Sequence, residues 1–201
     1  MNINSSFDSS IKILVIGDSG VGKTNFIQRF ILGKFNPMIS TISTDKLTKI
    51  HTLPKSKKCI KLIIWDTPGQ EKYRAVNKLF FQKVQGIILI YDITVRDTFE
   101  RLPEWVKQIN ETTSNIPVIL VGNKSDKEDR IVTKEEGEEF AKENEYLFME
   151  ASAKDGKNIN NVFNDLSEKI LSSLKCSFDI EDPLLKSLDS GNNKNSNKKC
   201  C

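Results

Sequence analysis

Three features of the sequence predict an α/β fold: a six-stranded, mostly parallel sheet with helices on both faces and one antiparallel edge hairpin. Short apolar runs alternate with helical periodicity from residue 11 to 175, as strands joined by crossover helices require. The first apolar run passes through a glycine-rich turn directly into an amphipathic segment. Two strand-like runs between Lys46 and Trp65 flank Pro54-Lys-Ser-Lys57, a turn signal that predicts a hairpin.

Residues 12–16, 60–65, 86–92 and 118–121 are runs rich in Val, Ile and Leu, and 146–149 is the apolar run Tyr-Leu-Phe-Met, all with few polar interruptions, the composition of strands buried on both faces. Phe99, Leu102, Val106 and Ile109 recur at steps of three and four, predicting one helix with an apolar stripe. Ile159, Val162, Phe163, Leu166, Ile170 and Leu174 predict another. Thr133 followed by Glu136 has the spacing of a capping box for a helix through Phe140 and Ala141. Three parts are expected: a flexible N-terminus over residues 1–10, a folded domain over 11–175, and a flexible tail over 176–201. The tail is expected because its polar run Ser-Gly-Asn-Asn-Lys-Asn-Ser-Asn cannot bury enough surface to offset the entropy of ordering.

The chain has 201 residues, 38% hydrophobic and 28% charged, an ordinary globular composition that excludes collagen-like and wholly disordered classes. No apolar run approaches the roughly 18 residues of a membrane span. The first residues have neither the charged nor the apolar region of a secretory signal, and Asn2 stands where myristoylation needs glycine. The net charge of +3 is too small to point to nucleic acid as a partner. Lysines at 46, 49, 55, 57, 58 and 61 read as the solvated surface of an edge hairpin, where they discourage strand pairing between molecules. The cysteines at 59, 176, 200 and 201 have no zinc or disulfide spacing, so a reduced, intracellular protein is expected. His51 and Met149 have no partners that suggest catalysis, and Cys59 is expected to pack within a strand.

Gly17-Asp-Ser-Gly-Val-Gly-Lys-Thr24 follows a strand and opens a helix, the context of a phosphate-binding loop. Its glycines let Asp18, Ser19, Gly20, Val21, Gly22 and Asn25 wrap backbone around phosphates, with the helix N-terminus aimed at them. Lys23 would add a positive charge on the outer phosphates, and the Thr24 hydroxyl a ligand for Mg²⁺. Asp66-Thr-Pro-Gly-Gln70 ends a buried strand, where an acidic residue can reach a phosphate-bound metal. Asn123-Lys-Ser-Asp126 and Ser152-Ala-Lys154 end two further strands on the same sheet edge. A carboxylate at Asp126 can accept from both the N1–H and the exocyclic amine of guanine, a donor pair that adenine lacks.

In this order, these four motifs resemble the Ras superfamily of small GTPases, over about residues 11–175. Ile39-Ser-Thr-Ile42, Lys61-Leu-Ile-Ile-Trp-Asp66, Leu89-Ile-Tyr-Asp-Ile-Thr94 and the terminal Cys200-Cys201 resemble its Rab branch. The resemblance implies the small-GTPase form of the P-loop NTPase fold, GTP/GDP and Mg²⁺ as ligands, and slow hydrolysis of GTP to GDP. Asn123 would brace the base loop, the Lys124 stem would lie along the base, and the Ala153 N–H would reach the base oxygen, with Ser152 and Lys154 beside it. Phe35 resembles the aromatic that stacks on the other side of the ring, in a loop one residue shorter than usual. Thr41 and the Gly69 backbone N–H would sense the γ-phosphate, Thr41 also joining Thr24 and, through water, Asp66 around Mg²⁺. Thr67 and Pro68 would line the same turn. Gln70 would orient the attacking water, with Lys23 and Gly69 as the other catalytic groups. No arginine is placed as an internal finger, so an activating protein is expected to supply one.

The same resemblance makes Ile39, Ser40, Thr41, Ile42, Ser43, Lys46, Trp65 and Phe80 the face read by effectors. It makes Cys200 and Cys201 sites of double prenylation, supported by Lys194, Lys198 and Lys199 on an anionic leaflet. An exchange factor, an activating protein, a prenyl-binding chaperone and effectors are the implied partners of a monomer on the cytoplasmic face of a membrane, with a cytosolic pool. Three departures stand out: Pro68 where alanine is usual, Ser43 where glycine is usual, and Lys46 where an aromatic is usual. They motivate one alternative, a nucleotide-bound membrane scaffold that does not cycle. A metabolic phosphotransferase is the other, opposed by Asn123–Asp126 and by the lack of a second substrate-binding region.

Overall fold

Six strands pair in the order β2-β3-β1-β4-β5-β6: β1 Ser9–Ile16, β2 Asp45–Thr52, β3 Cys59–Asp66, β4 Gly86–Asp92, β5 Val118–Asn123 and β6 Leu147–Glu150. Every pairing is parallel except β2 with β3, the hairpin expected around Pro54. The computed structural model describes residues 7–36, 45–67, 81, 83–113 and 115–180. The chain divides into two compact units, Met1–Ile170 and Leu171–Cys201. The whole sheet lies in the first, and of the second only the helical stretch through Ile180 is described.

Strand alternation sends neighbouring side chains to opposite faces, and both faces are covered by helices. Leu14, Ile16, Ile87, Leu89, Tyr91, Val118 and Leu120 form one core with Leu102, Trp105, Ile109 and Ala141. These last four come from α3 (Leu102–Thr112) and α4 (Lys134–Glu143). On the other face, Phe26 and Phe30 of α1 (Lys23–Leu32) pack on Phe163 of α5 (Ile159–Ile180), the Phe30 and Phe163 rings stacking with centroids 3.8 Å apart. Gly86 lies under α5, where an added Cβ would stand 2.5 Å from Ile170 Cδ1. The capping box is formed: Thr133 Oγ1 accepts from the Glu136 N–H, and the Glu136 carboxylate accepts from the Thr133 N–H.

Several boundaries differ from expectation. Ser9 and Ser10 pair with Ile60 and Lys61, so β1 begins before residue 11. α5 runs through Ile180, past residue 175. The single helix expected from Phe99 to Ile109 is two, α2 (Arg96–Glu100) and α3, meeting at Arg101. Pro103 sits in the first turn of α3, where its missing N–H costs nothing, whereas inside a continuous helix it would leave a carbonyl without a donor. The break turns Trp105 rather than Val106 into the core. β6 starts at Leu147, because Glu145 takes a left-handed turn (φ 59°) and Tyr146 still donates its N–H to the Ala141 carbonyl of α4. Among the described residues, no helix is long and apolar enough to cross a membrane.

Candidate functional site

The C-terminal ends of β1, β3, β4, β5 and β6 bring the expected motifs to one edge of the sheet. Between β1 and α1, the loop 17–22 turns through three glycines with left-handed or open φ: Gly17 (139°), Gly20 (79°) and Gly22 (96°). At Gly17 a Cβ would stand 2.1 Å from the Ile90 carbonyl oxygen, and at Gly22 2.6 Å from Asn123 Nδ2, so β4 and β5 dictate both residues. Gly22 caps α1 without a side-chain acceptor for its first N–H groups. That leaves the positive end of the helix to an external anion.

Lys23 is buried at the centre of this loop, its Nζ donating to the carbonyls of Gly17 (2.8 Å) and Asp18 (2.7 Å). Burial pulls its pKa down to about 8, against the opposing pull of Asp66 and Asp18. Phosphate oxygens favour the ammonium, so the bound lysine titrates above the free one. Between those two values, binding takes up a proton. Polyphosphate affinity is therefore expected to be flat below pH 8 and to fall above it, by up to about tenfold per pH unit. GDP affinity measured at pH 7, 8 and 9 checks this, with Lys23→Met showing no such slope.

Thr24 and Asp66 lie 42 positions apart in sequence and meet here, Thr24 Oγ1 donating to Asp66 Oδ2 at 2.7 Å. Thr67 is buried beside them and ties its hydroxyl to the Val15 carbonyl at 2.7 Å. One carboxylate and one hydroxyl facing a phosphate loop form a hard oxygen donor set suited to Mg²⁺, which takes few protein ligands and completes its shell with water and phosphate. Among the described residues, no cluster of three or more His, Cys, Asp or Glu could hold a metal ion by itself.

Asn123 is the joint between the two halves of the site. Its Nδ2 donates to the Val21 carbonyl at 2.7 Å, and its Oδ1 accepts from the Ala153 N–H at 3.3 Å. Lys124, in a left-handed conformation (φ 68°), stretches across to Gly20 O (2.9 Å) and Asp92 Oδ2 (2.5 Å). The Asp126 side chain is 6% exposed. Its Oδ1 accepts from Ser152 Oγ at 2.7 Å, while its buried Oδ2 has no hydrogen-bond partner among the described residues and lies 3.8 Å from the Lys154 ammonium. A buried carboxylate oxygen short of donors, on a loop tied to a phosphate loop, is suited to a ring that carries N–H groups.

Three supporting residues carry no motif in the sequence, and a fourth, Asp92, lies in the Leu89–Thr94 run. Arg29 of α1 donates Nε to Ala153 O (2.9 Å), and its two terminal nitrogens to Gly33 O and Lys154 O, fastening the base loop to α1. Trp105 Nε1 and Arg101 Nη1 donate to the two carboxylate oxygens of Asp18 (2.9 and 3.1 Å), so the phosphate loop is held from α3 as well. Asp92 anchors Lys124. The bonds from Arg29 to Ala153 and Lys154 and from Arg101 and Trp105 to Asp18 span 83 to 125 residues, so no short spacing in the sequence reveals them. Ser19 is exposed, and Phe35 is half-buried two residues past the α1 cap Gly33. Ile39, Ser40, Thr41, Ile42, Ser43, Pro68, Gly69, Gln70, Phe80, Cys200 and Cys201 lie outside the described residues.

A family model described as Ras family matches residues 12–172. The chain is 42% identical over 202 residues to the Ras-related protein SEC4 of Saccharomyces cerevisiae, covering 98% of this chain and 93% of that protein. It is 41% identical over 181 residues to the Ras-related protein Rab-3A of Homo sapiens, with 89% and 81% covered. With the Ras-related protein Rab-18-B of Danio rerio it shares 42% identity over 166 residues, with 81% and 80% covered.

Proposed function

The chain belongs to the Ras family as a Rab-like small GTPase of vesicle trafficking that binds guanine nucleotide and hydrolyses GTP, and from that premise we propose that it is a Mg²⁺-dependent, lipid-anchored switch. The observation that carries this reading is the 2.7 Å bond between Thr24 and Asp66, which sets a metal-suited pair beside the buried ammonium of Lys23. Thr24, Asp66 (through water) and Thr41 would hold Mg²⁺, which when bound neutralises charge on the β- and γ-phosphates.

Lys23 and the N–H groups from Ser19 to Asn25 bind the phosphates and stabilise the charge that builds on the departing β–γ oxygen. Asn123 and Lys124 hold the base loop against the phosphate loop, and Asp126 and Ala153 read the guanine, with Phe35 stacking on its ring. Gln70 orients a water in line with the γ-phosphorus, beside the Gly69 N–H. Because Thr41 and Gly69 contact only the group that hydrolysis removes, its loss releases both segments and with them the effector face. The non-cycling scaffold is not favoured, since the groups expected to bind and cleave GTP are all present in this sequence.

Turnover of GTP by the purified chain should need Mg²⁺, and GDP rather than ATP should compete. Gln70→Leu, assayed with excess activating protein, is expected to slow turnover at least about tenfold while GTP stays bound. Unaltered turnover would mean that another group positions the water. Cys200 and Cys201 are proposed to carry two prenyl chains, which give stable anchoring where one gives only marginal binding. Removing both is expected to move the protein from membrane to cytosolic fractions at unchanged GDP affinity. Persistence of the truncated chain on membranes would rule out the lipid anchor.

A further inference from the structure

Asp18 puts a carboxylate into a loop shaped to receive polyphosphate, and α3 answers that charge. The Asp18 carbonyl accepts from Lys23 Nζ at 2.7 Å. Its side chain is 9% exposed, with Oδ1 accepting from Trp105 Nε1 at 2.9 Å and Oδ2 from Arg101 Nη1 at 3.1 Å. A carboxylate so far out of water is costly unless a counter-charge and hydrogen bonds meet it. Its charge reaches the Lys23 ammonium, helping that group keep its proton against burial. An uncovered Asp18 would therefore oppose a bound phosphate twice, by repelling it and by competing for Lys23.

The break between α2 and α3 puts Arg101 at a corner where both helices fix its main chain. Its N–H donates to Asp97 O at 3.2 Å, and its carbonyl accepts from the Glu104 N–H at 3.1 Å. Four positions on, Trp105 is buried and brings its indole N–H to the same carboxylate. The Arg101 side chain is 47% exposed, with Nη2 lying 3.9 Å from Asp97 Oδ2 at the surface. Anchoring alone does not explain a charged pair here. An asparagine at position 18 would accept the Trp105 bond equally well and would bring no anion into the loop.

We propose that Arg101 is a positioning residue for nucleotide binding, one that cancels the Asp18 charge from α3 so that the loop and Lys23 are free to receive polyphosphate. The inference rests on the reading of residues 17–24 as a phosphate loop and names a residue outside it that sets its affinity. Phosphate affinity is then adjusted from the solvent-facing corner of α2 and α3, leaving the glycines and Lys23 untouched.

The test measures GDP and GMP affinity of the full-length chain with Mg²⁺ at pH 7, by competition against a fluorescent GDP analogue. Arg101→Gln is expected to weaken GDP binding about tenfold and GMP binding by about threefold or less, because repulsion grows with the charge on the ligand. Adding Asp18→Asn to Arg101→Gln should return GDP affinity to within about threefold of wild type, since the two residues act through one interaction. Arg101→Lys keeps the charge and should also stay within about threefold. Thermal unfolding without nucleotide accompanies each variant. Where Arg101→Gln does not fold, the double variant and Arg101→Lys decide by the same limits.

The inference is overturned if Arg101→Gln binds GDP within about twofold of wild type, if GMP loses as much as GDP, or if Asp18→Asn leaves the defect unrepaired. Arg101→Lys as weak as Arg101→Gln would make the guanidinium a brace of fixed shape and overturn it too. The wild-type chain separates the two failures. Wild type that binds GDP beside an unaffected Arg101→Gln defeats this inference alone, whereas wild type that binds no GDP defeats the reading of the phosphate loop and this inference with it.

Discussion

Asp126→Ala is expected to lower GDP and GTP affinity by roughly 100- to 10,000-fold while leaving the weak affinity for ATP unchanged. The carboxylate is nearly buried, one oxygen bonded to Ser152 and the other without a hydrogen-bond partner among the described residues. Two charge-assisted bonds to guanine, each worth about 1.5–3 kcal/mol, set the size of the loss. Adenine offers no such donor pair, so selectivity collapses mainly through the loss on the guanine side. The dissociation rate of a fluorescent GDP analogue, with ATP competition beside it, measures both quantities. GDP affinity within about threefold of wild type would place the base elsewhere.

Lys23→Met should have the other large effect, a loss of nucleotide affinity of roughly 1,000-fold or more with little change in the stability of the nucleotide-free chain. In the free protein the ammonium is buried among Gly17 O, Asp18 O and the charges of Asp66 and Asp18. Methionine of similar length removes two hydrogen bonds but also removes the desolvation cost of the charge, and these roughly cancel. Nothing cancels the lost attraction once a polyphosphate sits in the loop. Thermal unfolding without nucleotide, set beside GDP affinity, separates the two effects. A melting temperature that falls as steeply as affinity would make Lys23 a structural rather than a ligand-binding group.

The parallel sheet, the hairpin around Pro54 and the α4 capping box were legible because each rests on local pattern: apolar runs, a turn residue, a three-residue spacing. The phosphate loop was legible for the same reason, its glycines and Lys23 being contiguous in sequence. The division of α2 from α3 was not, because the stripe through Phe99, Leu102 and Ile109 continues across the break while Pro103 alone signals it. The two arginine braces escaped as well. Nothing near Arg29 in sequence marks it as the residue that fastens Ala153, and nothing near Arg101 points to Asp18. Such contacts depend on how helices lie across the sheet, which a one-dimensional pattern does not carry. Lys46 pairs with Trp65 across the hairpin, but the cation over the ring is Lys12, from the neighbouring parallel strand.

The Arg29 brace also bears on the order in which the protein can mature during synthesis. Arg29 and Ala153 are separated by 124 positions, and Asn123 reaches back 102 positions to Val21. A ribosome adding about 5–20 residues per second therefore exposes the phosphate loop for several seconds or more before the residues that close over the base have been made. Through that interval the loop has the glycines and the lysine, and if Asp126 and Ala153 read the base as proposed, tight retention of nucleotide would await the emergence of β6 and the loop after it. On the proposed roles of these residues, nucleotide capture would follow the emergence of β6, and the chain would then gain the stabilisation of its ligand in one step.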